Sequence, residues 1–267
     1  MPKLYVMHHS TCARKALFTM IEKGASIETI EVQRDYLATP EYRALNPEGV
    51  VPTLVRDDGR ALTESSVILR YIDEAFPGPS LQPDDPSDRA DMTLWMKLVD
   101  DKFFIGLVTI SSATFIRSLF RLPEQEPEFA AMLDAMVDYQ SRRLREDAVR
   151  NGLASGYIPW GLSVLRGMLQ RIEAAVSQKG WLVGDRMTLA ECAITPIMLR
   201  LEEFGFAPAW EESLPATTAW WKKLSGRPSV RQLVELADRQ LLGQLVGSIE
   251  PARGQFLDAL RSAPLAA

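Results

Sequence analysis

Asn46-Pro47-Glu48-Gly49-Val50-Val51-Pro52-Thr53-Leu54-Val55-Arg56, continued by Asp57-Asp58-Gly59-Arg60-Ala61-Leu62-Thr63-Glu64-Ser65-Ser66, is the stretch from which the fold can be read. Pro52 heads a short apolar run, Asp58-Gly59 marks a hairpin turn, and Ala61 to Thr63 supplies the returning strand. Proline has no N–H and suits the first position of a strand, which leaves Val51 with a free peptide edge that a peptide-shaped ligand could pair with. Glu64-Ser65 falls where the strand gives way to a helix over residues 66–76, whose apolar positions 67, 68, 71, 72, 75 and 76 repeat at helical spacing. The first N–H groups of such a helix lack partners and its dipole is positive there, so a hydroxyl at that end completes a carboxylate cradle. Together these features suit a small acidic peptide, bound by its backbone and one carboxylate.

Upstream, Leu4 to Met7 reads as a buried strand, residues 13–23 as a helix stopped by Gly24, and Ile27 to Val32 as a second strand. Strand, helix, strand, hairpin and closing helix make a thioredoxin-like α/β arrangement, in which the parallel pair needs the crossover helix. The loop His8-His9-Ser10-Thr11-Cys12 lies between the first strand and the first helix, where open α/β sheets keep their chemistry. Ser10 also suits a plain helix cap. A cysteine at a helix N-terminus near Arg14 is expected to have a lowered pKa. His8 and His9 are the only histidines, adjacent residues on an extended chain point apart, and no spacing of other ligands completes a site, so no metal is expected.

Pro77 to Pro86 is dense in proline and turn residues, and every long segment beyond it has helical periodicity. The expected organisation is an α/β domain over residues 1–80, an all-α domain over 87–245 and a loosely packed tail over 246–267. A long helix is expected from Asp88 to Arg117, its stripe of Met92, Trp95, Met96, Val99, Phe103 and Leu107 reading as core more readily than as a substrate box. An unusual stretch over 121–160 contains an expected helix from Glu126 to Arg150. Met187-Thr188-Leu189-Ala190-Glu191-Cys192 reads as a capping box opening a helix that contains Pro196, and Phe204 to Trp210 as an aromatic loop.

The chain has 267 residues, 46% of them hydrophobic, and supports a sizeable core without staples. A net charge of -5 and a pI near 5.3 argue against nucleic acid or an anionic membrane as partner. Cys12 and Cys192 do not suggest a disulfide framework, which fits a reducing compartment. With no run of about 18 apolar residues, the expected location is the cytoplasm rather than a membrane.

Asn46-Pro47, Gly49 to Pro52, Glu64-Ser65 and the helix ending Tyr71-Ile72 resemble the glutathione-binding half of the glutathione S-transferase superfamily. The resemblance implies glutathione as co-substrate, a cis Pro52, Val51 pairing with the cysteinyl backbone, and Glu64-Ser65 holding the γ-glutamyl group. It implies a homodimer and a hydrophobic aromatic second substrate. On the match to the serine-type branches, Ser10 takes the place of the catalytic hydroxyl, with Cys12 and then Thr11 as alternatives. The helix from Arg89 to Asp101 and the stretch over 121–160 resemble the bacterial β-etherase branch, which cleaves aryl ethers from lignin; on this reading the stretch and the aromatic loop enlarge the second pocket. The segment Leu37 to Pro40 departs from the family in lacking a polar clamp for the glycine carboxylate, leaving Arg14, Lys15, Arg34 or Arg43 as substitutes. Two further readings use the same fold: a thiol reductase working through Cys12, and a non-catalytic ligand-binding or interaction protein.

Overall fold

Leu4 and Val6 alternate with more exposed neighbours and are fully buried, which makes Lys3–Val6 (β1) the central strand of a small sheet. A computed structural model describes residues 1–120 and 122–264. Arg121, the first residue of the unusual stretch, and the last three residues of the expected tail lie outside the described residues. β1 pairs parallel with Glu28–Glu31 (β2) and antiparallel with Thr53–Val55 (β3), which pairs antiparallel with Ala61–Leu62 (β4), in the order β2-β1-β3-β4. The parallel pair is joined by Thr11–Lys23 (α1), and Gly24, in the left-handed region at φ 65°, ends that helix by donating back to the Ile21 carbonyl. Pro40–Leu45 (α2) leads to β3, and Ser65–Ala75 (α3) follows β4. Leu4, Val6, Leu54, Leu17 and Ile68 join the main core, while Met7, Val32, Leu37 and Tyr42 form a smaller cluster.

The helical half opens with Pro86–Leu98 (α4), capped by Asp85, and runs through a π turn at 99–103 into Phe104–Ser111 (α5) and a second π turn at 112–116. Of the predicted apolar stripe, Met92, Met96, Val99, Phe103 and Leu107 are buried, as a core stripe requires. Glu126–Asp134 (α6), Tyr139–Asn151 (α7), Ile158–Lys179 (α8), Leu189–Glu203 (α9), Pro208–Glu211 (α10), Pro215–Ser225 (α11), Pro228–Glu235 (α12), Arg239–Ile249 (α13) and Arg253–Ser262 (α14) follow. The capping box is present at α9, with Glu191 accepting from the Thr188 N–H at 2.9 Å, and every residue from Leu189 to Leu201 is buried.

Three expectations change. The helix expected over 126–150 is two, because Asp138 accepts the Ser141 N–H at 2.6 Å and starts a new helix. The segment expected to be a loose tail is helical through Ser262, with Ile249, Phe256 and Leu260 buried; its glycines concealed an apolar helical spacing. The aromatic loop lines no open pocket, because Phe204, Phe206 and Trp210 are fully buried and Phe206 packs on Phe256 of α14 at 6.3 Å.

The two halves are tied together at α1. The buried Lys23 ammonium pairs with Asp73 of α3 at 2.9 Å and donates to the Pro79 carbonyl, while Asp73 also accepts the Leu81 N–H. Leu81 in turn accepts the Leu189 N–H at the start of α9, and Glu22 takes a bidentate hold from Arg227 at 2.7 Å on both nitrogens.

Candidate active site

Tyr42, Asn46 and Thr53 are completely buried and form a polar knot behind the Val51-Pro52 turn. The Val50 carbonyl accepts from the Tyr42 hydroxyl at 2.7 Å and from Asn46 Nδ2 at 2.8 Å, while Thr53 Oγ1 meets the same two groups at 2.9 and 3.0 Å. Buried polar groups so satisfied hold one backbone geometry. Gly49 allows the turn: its φ is +60°, and a Cβ there would sit 2.6 Å from the Arg43 guanidinium carbon. The Val51–Pro52 peptide is cis. Among the described residues, nothing pairs with the N–H or C=O of Val51, so the half-buried edge expected from the sequence is open.

The second feature is the start of α3. Glu64 stands at its N-cap in an extended conformation, exposed, and makes no capping hydrogen bond, so the first N–H groups lack a side-chain cap. Ser65 is buried and Ser66 Oγ is buried without a partner. A buried unsatisfied hydroxyl beside uncapped N–H groups suits a carboxylate.

The third feature is the β1–α1 loop. Ser10 caps α1, its Oγ accepting the Ala13 N–H at 3.3 Å, so the structural role weighed from the sequence is realised. A hydroxyl that accepts in this way still has its proton to donate. Thr11 is buried in the first turn. Cys12 departs from expectation: burial pushes its thiol up from the ordinary value, with Lys15 opposing and Asp100 and Glu64 adding to the rise. Arg14 does not help the thiolate, because its guanidinium is turned to the His8 carbonyl at 3.0 Å and to Glu203 at 2.8 Å. Ser65, at the start of α3, acts against that rise, so the second and third features meet there.

Charged groups hold this loop through partners the sequence did not reveal, Asp100, Arg200 and Glu203. Lys15, buried to 1% exposure, pairs with Asp100 at 2.5 Å and reaches Ser65 Oγ at 3.4 Å. Arg200 of α9 donates to the His9 carbonyl at 2.7 Å and pairs with Glu203 at 2.7 Å. Arg14, Arg200 and Glu203 thus form one buried network gripping the carbonyls of His8 and His9. Burial lowers the Arg200 pKa to about 10. His9 is held down to about 4, by burial first and then by Arg200, Arg34 and Arg14. The available signal was Arg200, the one charge in the run from Cys192 to Leu201.

Of the four cations considered for a carboxylate clamp, Arg14 and Lys15 are engaged as described, and Arg43 donates to the Pro47 carbonyl at 2.5 Å. Two cavities lie away from these residues, one of about 420 Å³ on the outer face of α7 and one of about 270 Å³ beside Met1, Tyr5 and Val55. Among the described residues, no group of three or more His, Cys, Asp or Glu could hold a metal ion, and no helix is long and apolar enough to cross a membrane.

Residues 4–80 match the family model of the glutathione S-transferase N-terminal domain, and residues 162–228 that of the C-terminal domain. Protein LigF of Sphingobium sp. strain SYK-6 is 29% identical over 245 residues, covering 89% of this chain and 95% of its own length. The crystal structure of the β-etherase LigF from that strain has a TM-score of 0.75 at 27% identity, over 88% of this chain and 98% of the other. A glutathione S-transferase from Methylobacillus flagellatus, crystallised with glutathione bound, shares the fold at a TM-score of 0.59 and 22% identity, over 87% of this chain and 98% of its own.

Proposed function

The chain belongs to the glutathione S-transferase family, and on that premise we propose that it is an enzyme transferring glutathione to an apolar aromatic electrophile. The observation that carries the reading is the open Val51 edge beside the cis Pro52, together with the uncapped start of α3. In this reading Val51 pairs with the cysteinyl backbone of glutathione. The N–H groups at Ser65 and Ser66, with the partnerless Ser66 hydroxyl, receive the γ-glutamyl carboxylate, and the exposed Glu64 carboxylate faces its ammonium. Ser10 donates its proton to the sulfur at the positive end of α1. Lowering a free thiol pKa of about 8.5 by about two units corresponds to roughly 2.7 kcal/mol, within reach of one charge-assisted hydrogen bond plus a dipole. Ser10 is preferred over Cys12 for this role because burial keeps the Cys12 thiol protonated.

The narrower proposal is cleavage of a β-aryl ether: thiolate sulfur attacks the ether carbon, the carbon–oxygen bond breaks, and its electron pair leaves on a phenolate. The likeness to LigF supports this reading, with α6 and α7 lying in the stretch over 121–160 that resembles the etherase branch. The burial of the aromatic loop removes one earlier argument for it. The test is chromatography of a β-aryl ether ketone incubated with enzyme and glutathione, beside conjugation of a simple aryl halide. Released phenol supports the ether reading; halide conjugation without phenol leaves a general transferase, and neither product refutes the transferase. A cytoplasmic homodimer belongs to the same proposal. Val67 on α3 and Leu94 on α4, 49% and 54% exposed, are apolar surface that pairing could cover; light scattering at the monomer mass would refute the dimer.

A further inference from the structure

The β1–α1 loop is a turn whose carbonyls are held from outside it. The Ser10 N–H donates to the Met7 carbonyl at 2.8 Å, which puts His8 and His9 at the central positions of a β-turn. The commonest turn types differ by rotation of the peptide between the two central residues, so the turn closure alone does not fix that peptide. Here both central carbonyls are taken by guanidiniums: His8 by Arg14 Nε at 3.0 Å and His9 by Arg200 Nη2 at 2.7 Å. The peptide joining His9 to Ser10 is therefore held at both ends, its N–H by Met7 and its C=O by Arg200. The Ser10 side chain leaves the backbone immediately beyond that peptide. Docking of the two halves does not call for these charges. α1 is already tied to the helical half where Glu22 meets Arg227 at 2.7 Å, and Lys23 pins it to the connecting segment. Burying guanidiniums is costly even with Glu203 between them, and well-packed apolar side chains would join two helices at least as firmly. Apolar side chains could not, however, donate to a carbonyl.

We propose that Arg200, a residue of the helical half, is a positioning residue for Ser10: by fixing the peptide between His9 and Ser10 it sets the direction in which the hydroxyl meets the sulfur. The inference rests on the transferase reading above. Arg14 acts in the same way one peptide earlier, and Glu203 keeps the two guanidiniums in register at 2.8 and 2.7 Å. A hydrogen bond weakens steeply once its angle closes below about 120°, so a modest rotation of that peptide is felt at the sulfur. The two halves thus share the chemistry: one holds glutathione, and the other aims the hydroxyl that meets its sulfur.

The experiment is a double-mutant cycle on the full chain, read as the thiol pKa of bound glutathione in ultraviolet titration. Arg200→Gln should raise that pKa by about one unit, a roughly tenfold loss of thiolate near neutral pH. It should lower kcat while leaving the KM for glutathione nearly unchanged, because the Val51 edge and the start of α3 are untouched. In a Ser10→Ala background the same substitution should move the thiol pKa no further, since Arg200 acts through the hydroxyl. Where Arg200→Gln does not fold, Arg200→Lys, which keeps the charge and gives up the two-pronged hold, carries the same cycle. Arg227→Gln is the control for general loosening: it breaks another tie between α1 and the helical half but touches no loop carbonyl, so the melting temperature falls and the thiol pKa stays. A second arm needs no glutathione. Amide hydrogen exchange at Ser10 and Ala13 should quicken by about tenfold or more in the Arg200 variant and not in Arg227→Gln. A thiol pKa that moves equally with and without the Ser10 hydroxyl makes Arg200 a charge acting on the sulfur directly and overturns the proposal. Equal effects of Arg227→Gln, or unaltered exchange at Ser10 and Ala13, overturn it as well. If glutathione bound to the parent keeps its free thiol pKa, the transferase reading fails and the exchange arm alone decides whether Arg200 positions Ser10.

Discussion

Glu203→Gln removes the single negative charge between Arg14 and Arg200 while keeping the side chain's size. Arg14 is 0% exposed and Glu203 13% exposed, so water cannot replace the lost charge. Removing one partner of a buried ion pair costs about 3–5 kcal/mol, chiefly through the uncompensated charge left behind. Here two guanidiniums are left, and their remaining acceptors are the carbonyls of His8 and His9 at 3.0 and 2.7 Å. At about 2–4 °C per kcal/mol for a chain of this size class, the melting temperature should fall by about 6–20 °C. Calorimetric melting at pH 7 is the assay, with Arg150→Ala as control; its pairs with Glu126 and Glu146 are exposed and worth less than about 1 kcal/mol. Because the carbonyls held by the network immediately precede Ser10, turnover should drop further than stability alone explains at temperatures where both proteins are folded. A Glu203→Gln melting point within 2 °C of the parent would refute the claim that the network carries buried, uncompensated charge.

Ser10→Ala removes a cap worth about 1 kcal/mol and, on the proposed reading, the donor to sulfur, so kcat should fall more than the KM for glutathione rises; an unchanged pKa of the bound thiol in ultraviolet titration would sink the assignment. His9 should titrate near pH 4 by nuclear magnetic resonance. Its folded value lies below the ordinary 6.5, so its contribution to stability is complete above 6.5 and is lost as pH falls through about 4; a midpoint near 6.5 would contradict the packing around it. Cys12, its thiol raised by burial, should react with iodoacetamide at pH 7 more slowly than free glutathione does, and faster labelling in a peptide map would restore the cysteine-based reading.

The glutathione-binding half was legible because its determinants are local. Pro52, the Asp58-Gly59 turn and the strand-to-helix step at Glu64-Ser65 lie within one short stretch, and each constrains the backbone by its own chemistry. The capping box at Thr188 and Glu191 was legible for the same reason, with both members within one helical turn. The supports of the Ser10 loop were not, because Arg14 meets Glu203 189 residues away and Lys15 meets Asp100 85 residues away. Cys12 illustrates the cost of this: a nearby Arg14 in sequence suggested a lowered thiol pKa, whereas the tertiary partner of Arg14 draws its charge elsewhere. The terminal helices were obscured by composition, since glycine at 243 and 247 in α13 and at 254 in α14 reads as loop until α13 packs on the 112–116 turn and α14 on α8 and α10.

Lys23 sits where α1, α3 and the connecting segment converge, its ammonium shared between the Asp73 carboxylate and the Pro79 carbonyl while the same carboxylate takes the Leu81 N–H. A proline-rich connection so pinned cannot serve as a hinge, because swinging one half against the other would strip a buried ammonium of its acceptors. The junction therefore holds the two halves in one fixed placement. The same junction makes the halves one cooperative unit, so that cutting the chain between Pro77 and Pro86 should leave two fragments that remain associated instead of a separable α/β domain.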